Sequence, residues 1–169
     1  MKLYKIIIAI MITGLFSIVK PVPSLNFSDV SVEVIEVDKL KEIINNRNGK
    51  PLLINVWATW CVPCREEFPE LVKITSKFGD KVDMIGISVD FPEEKDSKVV
   101  PFLKEQNAEF KNYVIKVVEP EDFINLLDKD WGGAVPATFV YDEKGAQNVF
   151  LLGKQSYTEF EKAILKVIN

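Results

Sequence analysis

Apolar positions change period several times along this chain, and each change marks an element. Residues 31–37 (SVEVIEV) alternate apolar and charged positions, which predicts a strand near a sheet edge with Val32 and Val34 inward. Asp38 is placed to cap a helix over 39–46 that turns Leu40, Ile43 and Ile44 inward, and Asn48-Gly49 supplies its stop. Residues 52–57 (LLINVW) are nearly continuously apolar, the pattern of a central strand covered on both faces. The helical period returns over 62–78, with Phe68, Leu71, Val72, Thr75 and Phe78 on one stripe. A second central strand follows at 82–89 (VDMIGISV) and ends at Asp90 and Pro92.

Beyond an acidic loop, residues 97–107 predict a helix anchored by Val99, Val100 and Leu103, and 113–118 (YVIKVV) a short strand. Pro120-Glu121-Asp122 leads 123–128 (FINLLD) into a further helix. Residues 138–142 (TFVYD) and 146–152 (AQNVFLL), joined by Glu143-Lys144-Gly145, form a hairpin pattern. Ser156 and Glu159 have the spacing of a capping box that opens a last helix, with Phe160, Ala163, Ile164, Val167 and Ile168 on one face. This order predicts an α/β fold in which helices cover both faces of a mixed central sheet, the antiparallel part coming from the hairpin.

Ahead of these elements, residues 6–19 (IIIAIMITGLFSIV) form an uncharged run of 14. As a helix it would reach about 21 Å, short of a hydrocarbon core of about 30 Å. Lys2 and Lys5 precede it, and Lys20, Pro21 and Pro23 close it. Residues 1–20 are therefore expected to be a secretory signal, with Val22-Pro23-Ser24 the best cleavage candidate. The alternatives are an uncleaved membrane tether through residues 6–19 and a buried terminal element. Residues 21–30 read as a linker and 31–169 as one domain. Under the first two readings the domain works outside the cytosol, in a periplasm or on the outer face of the cytoplasmic membrane, where disulfides persist.

Charge and composition narrow the chemistry. The 169 residues carry a net charge of -4, and because residues 1–20 hold three lysines and no acid, the rest has 18 bases against 25 acids. So acidic a body does not suit a nucleic acid partner. The chain has no histidine, which excludes histidine-based triads, His-ligated haem and zinc sites that need imidazole; two cysteines alone cannot close a structural zinc site. No metal and no cofactor is expected, so thiol, carboxylate, hydroxyl and backbone groups must carry any reaction.

Both cysteines lie in Trp60-Cys61-Val62-Pro63-Cys64, directly after a predicted central strand and at the start of a predicted helix. That is the setting of a redox-active dithiol. Unpaired N–H groups and the positive end of the helix dipole favour thiolate at the first cysteine, and the second, one turn in, can close onto it. Cys61 is the expected nucleophile and Cys64 the resolving thiol. Pro63 lacks an N–H where the helix needs none and stiffens the loop. A static structural disulfide would constrain little chain here. A two-thiolate copper(I) site would lack a third ligand.

The stretch Asn55-Val56-Trp57-Ala58-Thr59-Trp60-Cys61-Val62-Pro63-Cys64-Arg65-Glu66-Glu67-Phe68-Pro69 resembles the active-site signature of exported thioredoxin-like proteins typified by TlpA and ResA. The likeness continues more loosely through Val135-Pro136-Ala137-Thr138-Phe139 and Asp142-Glu143-Lys144-Gly145. It implies a thioredoxin-like fold that reduces disulfides in extracytoplasmic proteins, apocytochrome c before haem attachment among them. Its partners would be exported clients with disulfides and an extracytoplasmic or membrane dithiol that returns electrons.

The resemblance implies that Pro136 is a cis proline beside the dithiol, with Val135 offering backbone to a client strand. From the sequence alone, a trans proline at a strand start is the alternative. It also implies that Glu67 tunes the thiols and moves a proton; a solvated first-turn glutamate is the plain alternative. Asn55 stands six residues before Cys61, where cytosolic thioredoxins resemble one another in a buried aspartate, which leaves Glu67 as the candidate base. Trp57 reads as core. Trp60, Val62 and Pro63 border the substrate side, although Trp60 fits core packing equally well. The span 107–137 departs from the family pattern, and Trp131 within it reads either as an exposed contact or as core. A disulfide-forming oxidase would typically carry histidine between its cysteines, and Val62-Pro63 has none. A peroxide reductase would place Arg or Thr beside a lone reactive cysteine, a pattern the chain lacks, and a binding module without turnover is the remaining alternative.

Overall fold

A computed structural model describes residues 30–47 and 49–168. The signal or tether reading of residues 1–20, nearly all of the linker, and Asn48 lie outside the described residues.

In chain order the elements are β1 (Val32–Glu36), α1 (Val37–Asn45), β2 (Leu52–Trp57), α2 (Val62–Phe78), β3 (Asp83–Ser88), α3 (Val100–Glu105), β4 (Lys111–Lys116), α4 (Pro120–Leu127), β5 (Ala137–Tyr141), β6 (Gln147–Leu152) and α5 (Tyr157–Ile168). The six strands form one sheet in the order β1-β4-β3-β2-β5-β6. Pairings from β1 to β2 are parallel, and β5 and β6 add antiparallel strands beside β2. β1 is indeed an edge strand, and β2 lies inside the sheet with every residue buried.

Strand alternation sorts the side chains onto two layers. Leu53, Trp57, Met84, Val114 and Val140 face α2, α3 and α5, where Phe68, Leu71, Ile74, Phe102, Leu103, Phe160 and Ile164 pack. Leu52, Ile54, Val56, Ile85, Ile87 and Phe139 face α1 and α4, against Leu40, Ile44, Phe123 and Leu127. Helices therefore cover both faces of a mixed sheet, as the element order predicts.

Several local expectations are corrected. Asp38 is not a cap: β1 runs straight into α1, Glu36 takes the N-cap position without a side-chain bond, and Asp38 sits in the first turn, near the positive end of the helix. The helix expected over 97–107 starts earlier and is broken: a 3-10 turn at Pro92–Glu94 and a π-helical turn at Lys95–Val99 lead into α3, which ends at Glu105. Pro101 has no N–H to donate one α-turn back, so a continuous α-ladder cannot run through it. β4 begins and ends two residues earlier than expected, and α4 already includes Pro120. Ser156 does accept the Glu159 N–H at 3.3 Å, while the Glu159 carboxylate pairs with Lys162 instead of reaching back to the cap. Trp131 is core, not an exposed contact: it packs edge-on against Phe123 and Phe139, and its indole N–H donates to the Ala134 carbonyl oxygen at 2.9 Å.

Candidate active site

The dithiol sits where β2 gives way to α2. After Trp57 the chain turns through Ala58-Thr59-Trp60, and the Cys61 N–H closes that turn on the Ala58 carbonyl oxygen at 3.2 Å. Cys61 takes the N-cap position of α2 with extended backbone, and Val62 and Pro63 are the first two helical residues. Cys64 follows one turn in and is joined to Cys61 by a disulfide. Its N–H points at Cys61 Sγ from 3.3 Å. Once the bond is reduced, this N–H and the helix N-terminus favour negative charge on Cys61. Cys61 retains 5% of its surface and Cys64 none, so a partner arriving from solvent meets Cys61 alone.

The Val135–Pro136 peptide is cis, as the resemblance implies and against the trans alternative. Val135 is half-buried, and its carbonyl oxygen stands 3.7 Å from Cys61 Sγ. Trp60 and Val62 are exposed, at 63% and 61%, and Pro63 beside them is exposed too, so Trp60 belongs to the rim and not to the core. Trp57 is fully buried, with ring centroids 4.8 Å from Phe68 and 5.1 Å from Phe102.

Glu67, one turn beyond Cys64, is not a solvated first-turn glutamate. It is 1% exposed, and both carboxylate oxygens are occupied. Oε1 accepts from Asn55 Nδ2 at 2.9 Å, and Oε2 accepts the Gln155 N–H at 2.8 Å. Asn55 Nδ2 also donates to Thr138 Oγ1 at 3.0 Å, across the antiparallel pair that sets Asn55 opposite Thr138. Burial raises the Glu67 carboxyl from 4.5 to about 7, opposed in part by the Gln155 and Asn55 hydrogen bonds and the nearby Lys154 charge. A carboxyl near neutrality can both take and give a proton under ordinary conditions. The Asn55 Oδ1 atom is buried without a partner.

The strap after β6 links this carboxylate to the proline loop. The Gly153 N–H donates to the Pro136 carbonyl oxygen at 2.8 Å, and two residues later the Gln155 N–H reaches Glu67. Lys154 between them pairs with Glu66 at 2.8 Å.

Sequence reasoning overlooked Thr138, Gln155, and Asp90 just after β3, whose carboxylate accepts from both Thr59 and Ser88. Thr138 carries the signal of a lone polar residue in an apolar strand, and Ser88-Val89-Asp90 puts two polar side chains on one face. Gln155 contributes only a backbone N–H, for which no side-chain signal exists.

Known proteins resemble this chain in sequence and in fold. Residues 19–146 match the model of the AhpC/TSA family. The thioredoxin-like protein YneN of Bacillus subtilis is 27% identical over 124 residues, covering 73% of this chain and 69% of that protein. The thiol-disulfide oxidoreductase ResA of Bacillus cereus is 26% identical over 149 residues, covering 88% and 77%. Among solved structures, a DsbF homologue from Corynebacterium diphtheriae superposes with a TM-score of 0.63 at 22% identity, covering 73% of this chain and 75% of that one. The family match spans most of the sequence, so the chain belongs to the AhpC/TSA family, and its Cys61–Cys64 pair and its relatives of that name make it a thiol-disulfide oxidoreductase of thioredoxin-like fold.

Proposed function

We propose that this domain works outside the cytosol and reduces disulfides in exported proteins, with apocytochrome c before haem attachment a candidate client class. The observation that carries the reading is the pairing of one reachable sulfur, Cys61, with a backbone edge at Val135-Pro136 and a buried carboxyl, Glu67, held near neutrality. The apolar run at 6–19 and its lysine borders support export. The likeness to proteins named for thiol-disulfide exchange supports the chemistry.

In the reduced domain, the Cys61 thiolate attacks one sulfur of a client disulfide. A mixed disulfide forms, and the client's other sulfur leaves as thiolate. Val135 backbone, Trp60, Val62 and Pro63 border the sulfur at which the client is held. The Cys64 thiol then loses its proton, with Glu67 as the acceptor, and attacks Cys61 Sγ. The client's second sulfur leaves, the Cys61–Cys64 disulfide closes, and two electrons have passed to the client, whose two sulfurs take up the two protons. A membrane or extracytoplasmic dithiol must afterwards reduce the domain. Absence of histidine between the cysteines favours this direction over disulfide formation.

Trapping tests the assignment. Cys64→Ala should accumulate covalent complexes with exported disulfide proteins, because the mixed disulfide can form and cannot be resolved. Cys61→Ala should trap almost none. Trapping through Cys64 instead, by the Cys61→Ala variant and not by Cys64→Ala, would reverse the roles, and no complexes from either variant would argue for a binding module without turnover.

A further inference from the structure

Beyond the cysteines, the proline loop and Glu67, a second buried carboxylate lies against the active-site turn. Asp90 is 2% exposed and follows β3 by two residues. Its Oδ2 accepts the Thr59 N–H at 2.9 Å and the Ser88 hydroxyl at 2.6 Å, and its Oδ1 accepts the Thr59 hydroxyl at 2.5 Å. The Asp90 N–H in turn donates to Ser88 Oγ at 3.1 Å. Both hydrogen-bonding groups that Thr59 can offer outward are thus spent on one carboxylate of the neighbouring strand end. The Val89 N–H to Trp57 carbonyl bond, 2.9 Å, fixes the same two chain segments one step earlier.

Thr59 stands two residues before Cys61, inside the turn that the Cys61 N–H closes on Ala58. Hydrogen bonds to a carboxylate are stronger than neutral ones, and the accepting Asp90 side chain is buried. We infer that Asp90 is a positioning residue for the thiol exchange: by clamping Thr59 to the end of β3, it holds Cys61 against Cys64 and Val135. This rests on the exchange at Cys61 described above and adds a residue to it.

A disulfide closes readily when its two sulfurs have a high effective concentration toward each other. Cys64 is fixed within α2, whereas Cys61 is the N-cap, held from one side by the helix and from the other by the Thr59 turn. Releasing Thr59 widens the range of Cys61 positions in the dithiol form and makes closure less favourable. The carboxylate at the far end of the sheet provides a contrast: Asp142 accepts Lys144 N–H, Ala146 N–H and Asn148 Nδ2 in the β5–β6 turn, an equally well-bonded group remote from the sulfurs.

The test is the equilibrium of the full chain with glutathione in wild type, Asp90→Ala, Thr59→Val and Asp142→Ala, with circular dichroism confirming the fold. Asp90→Ala should lower the constant for forming the Cys61–Cys64 disulfide about tenfold, which is about 30 mV toward the oxidising side. Thr59→Val, which keeps the backbone bond and loses the hydroxyl, should shift it the same way by about threefold. Asp142→Ala should leave it within about twofold while lowering the melting temperature. If Asp90→Ala does not fold, Thr59→Val decides. Constants within twofold of wild type for the foldable variants, or a shift in Asp142→Ala equal to that in Asp90→Ala, would overturn the inference. Failure of the reductase reading shows instead in the wild-type value, which these differences do not depend on.

Discussion

Glu67 is the buried carboxyl proposed to take the Cys64 proton. Its carboxyl titrates near 7 in the folded chain against an ordinary 4.5, because burial disfavours the charge more than its partners restore it. The folded state therefore binds this proton more tightly than the unfolded state does. The stability it contributes is fully present below about pH 4.5 and is lost as pH rises through about 7, a change of about 3 kcal/mol. Glu67→Gln should remove that component, so urea unfolding of the variant between pH 4.5 and 7.5 should show a flatter profile than wild type. A fall in stability of the same size in both would show that Glu67 ionises freely. In the reduced protein the same variant should alter the pH dependence of Cys64 reactivity, which is readable in the Cys61→Ala background by alkylation from pH 5 to 10. An unchanged profile would remove Glu67 from the proton path. The carboxyl's environment was only half legible in the sequence. Its place one turn past Cys64 followed from helical spacing, but its burial depends on Asn55 from β2 and the Gln155 N–H from the strap, and no local pattern announces either.

At the scale of elements, β2 and its neighbours carry a polar row beneath α2. Register places Asn112, Gly86, Asn55 and Thr138 side by side across four strands, all on the face that packs under Trp57 and Phe68. Gly86 is required in this row: a Cβ there would stand 2.0 Å from Asn112 Oδ1 and 3.0 Å from Trp57 Nε1. Gly86→Ala should destabilise the fold by about 2 kcal/mol through overpacking, and Asn112→Ala added to it should recover part of the loss. Additive losses in denaturant unfolding would contradict the close approach. The strands of this row were readable because their apolar runs are short and bounded by turn residues. Neighbours across strands were not, since register is a long-range property that one strand's sequence does not contain. The turn after β3 shows the other kind of miss. An apolar spacing of 99, 100 and 103 fits a helix, yet Pro101 and the π-helical turn before it break the ladder in a way periodicity cannot show. Trp131 was ambiguous because its two glycine neighbours suggest exposure, while the space between Phe123 and Phe139 that buries it belongs to α4 and β5.

For the whole molecule, order of elements and a single motif sufficed to place the fold, since strand–helix alternation followed by a hairpin leaves few ways to cover both faces of one sheet. The proposed export through residues 1–20 is tested in cells. A tagged full-length protein should be labelled at Cys61, after reduction of intact cells, by a thiol reagent that cannot cross the cytoplasmic membrane; protection of Cys61 until the cells are lysed would place the domain on the cytosolic side. The direction of electron flow is the central claim, and the reduction potential of the wild-type dithiol against glutathione tests it most directly. A reducing domain with Val62-Pro63 between its cysteines should lie near about -270 mV, the range of thioredoxin; a value near about -120 mV, that of a strong oxidant, would contradict the account.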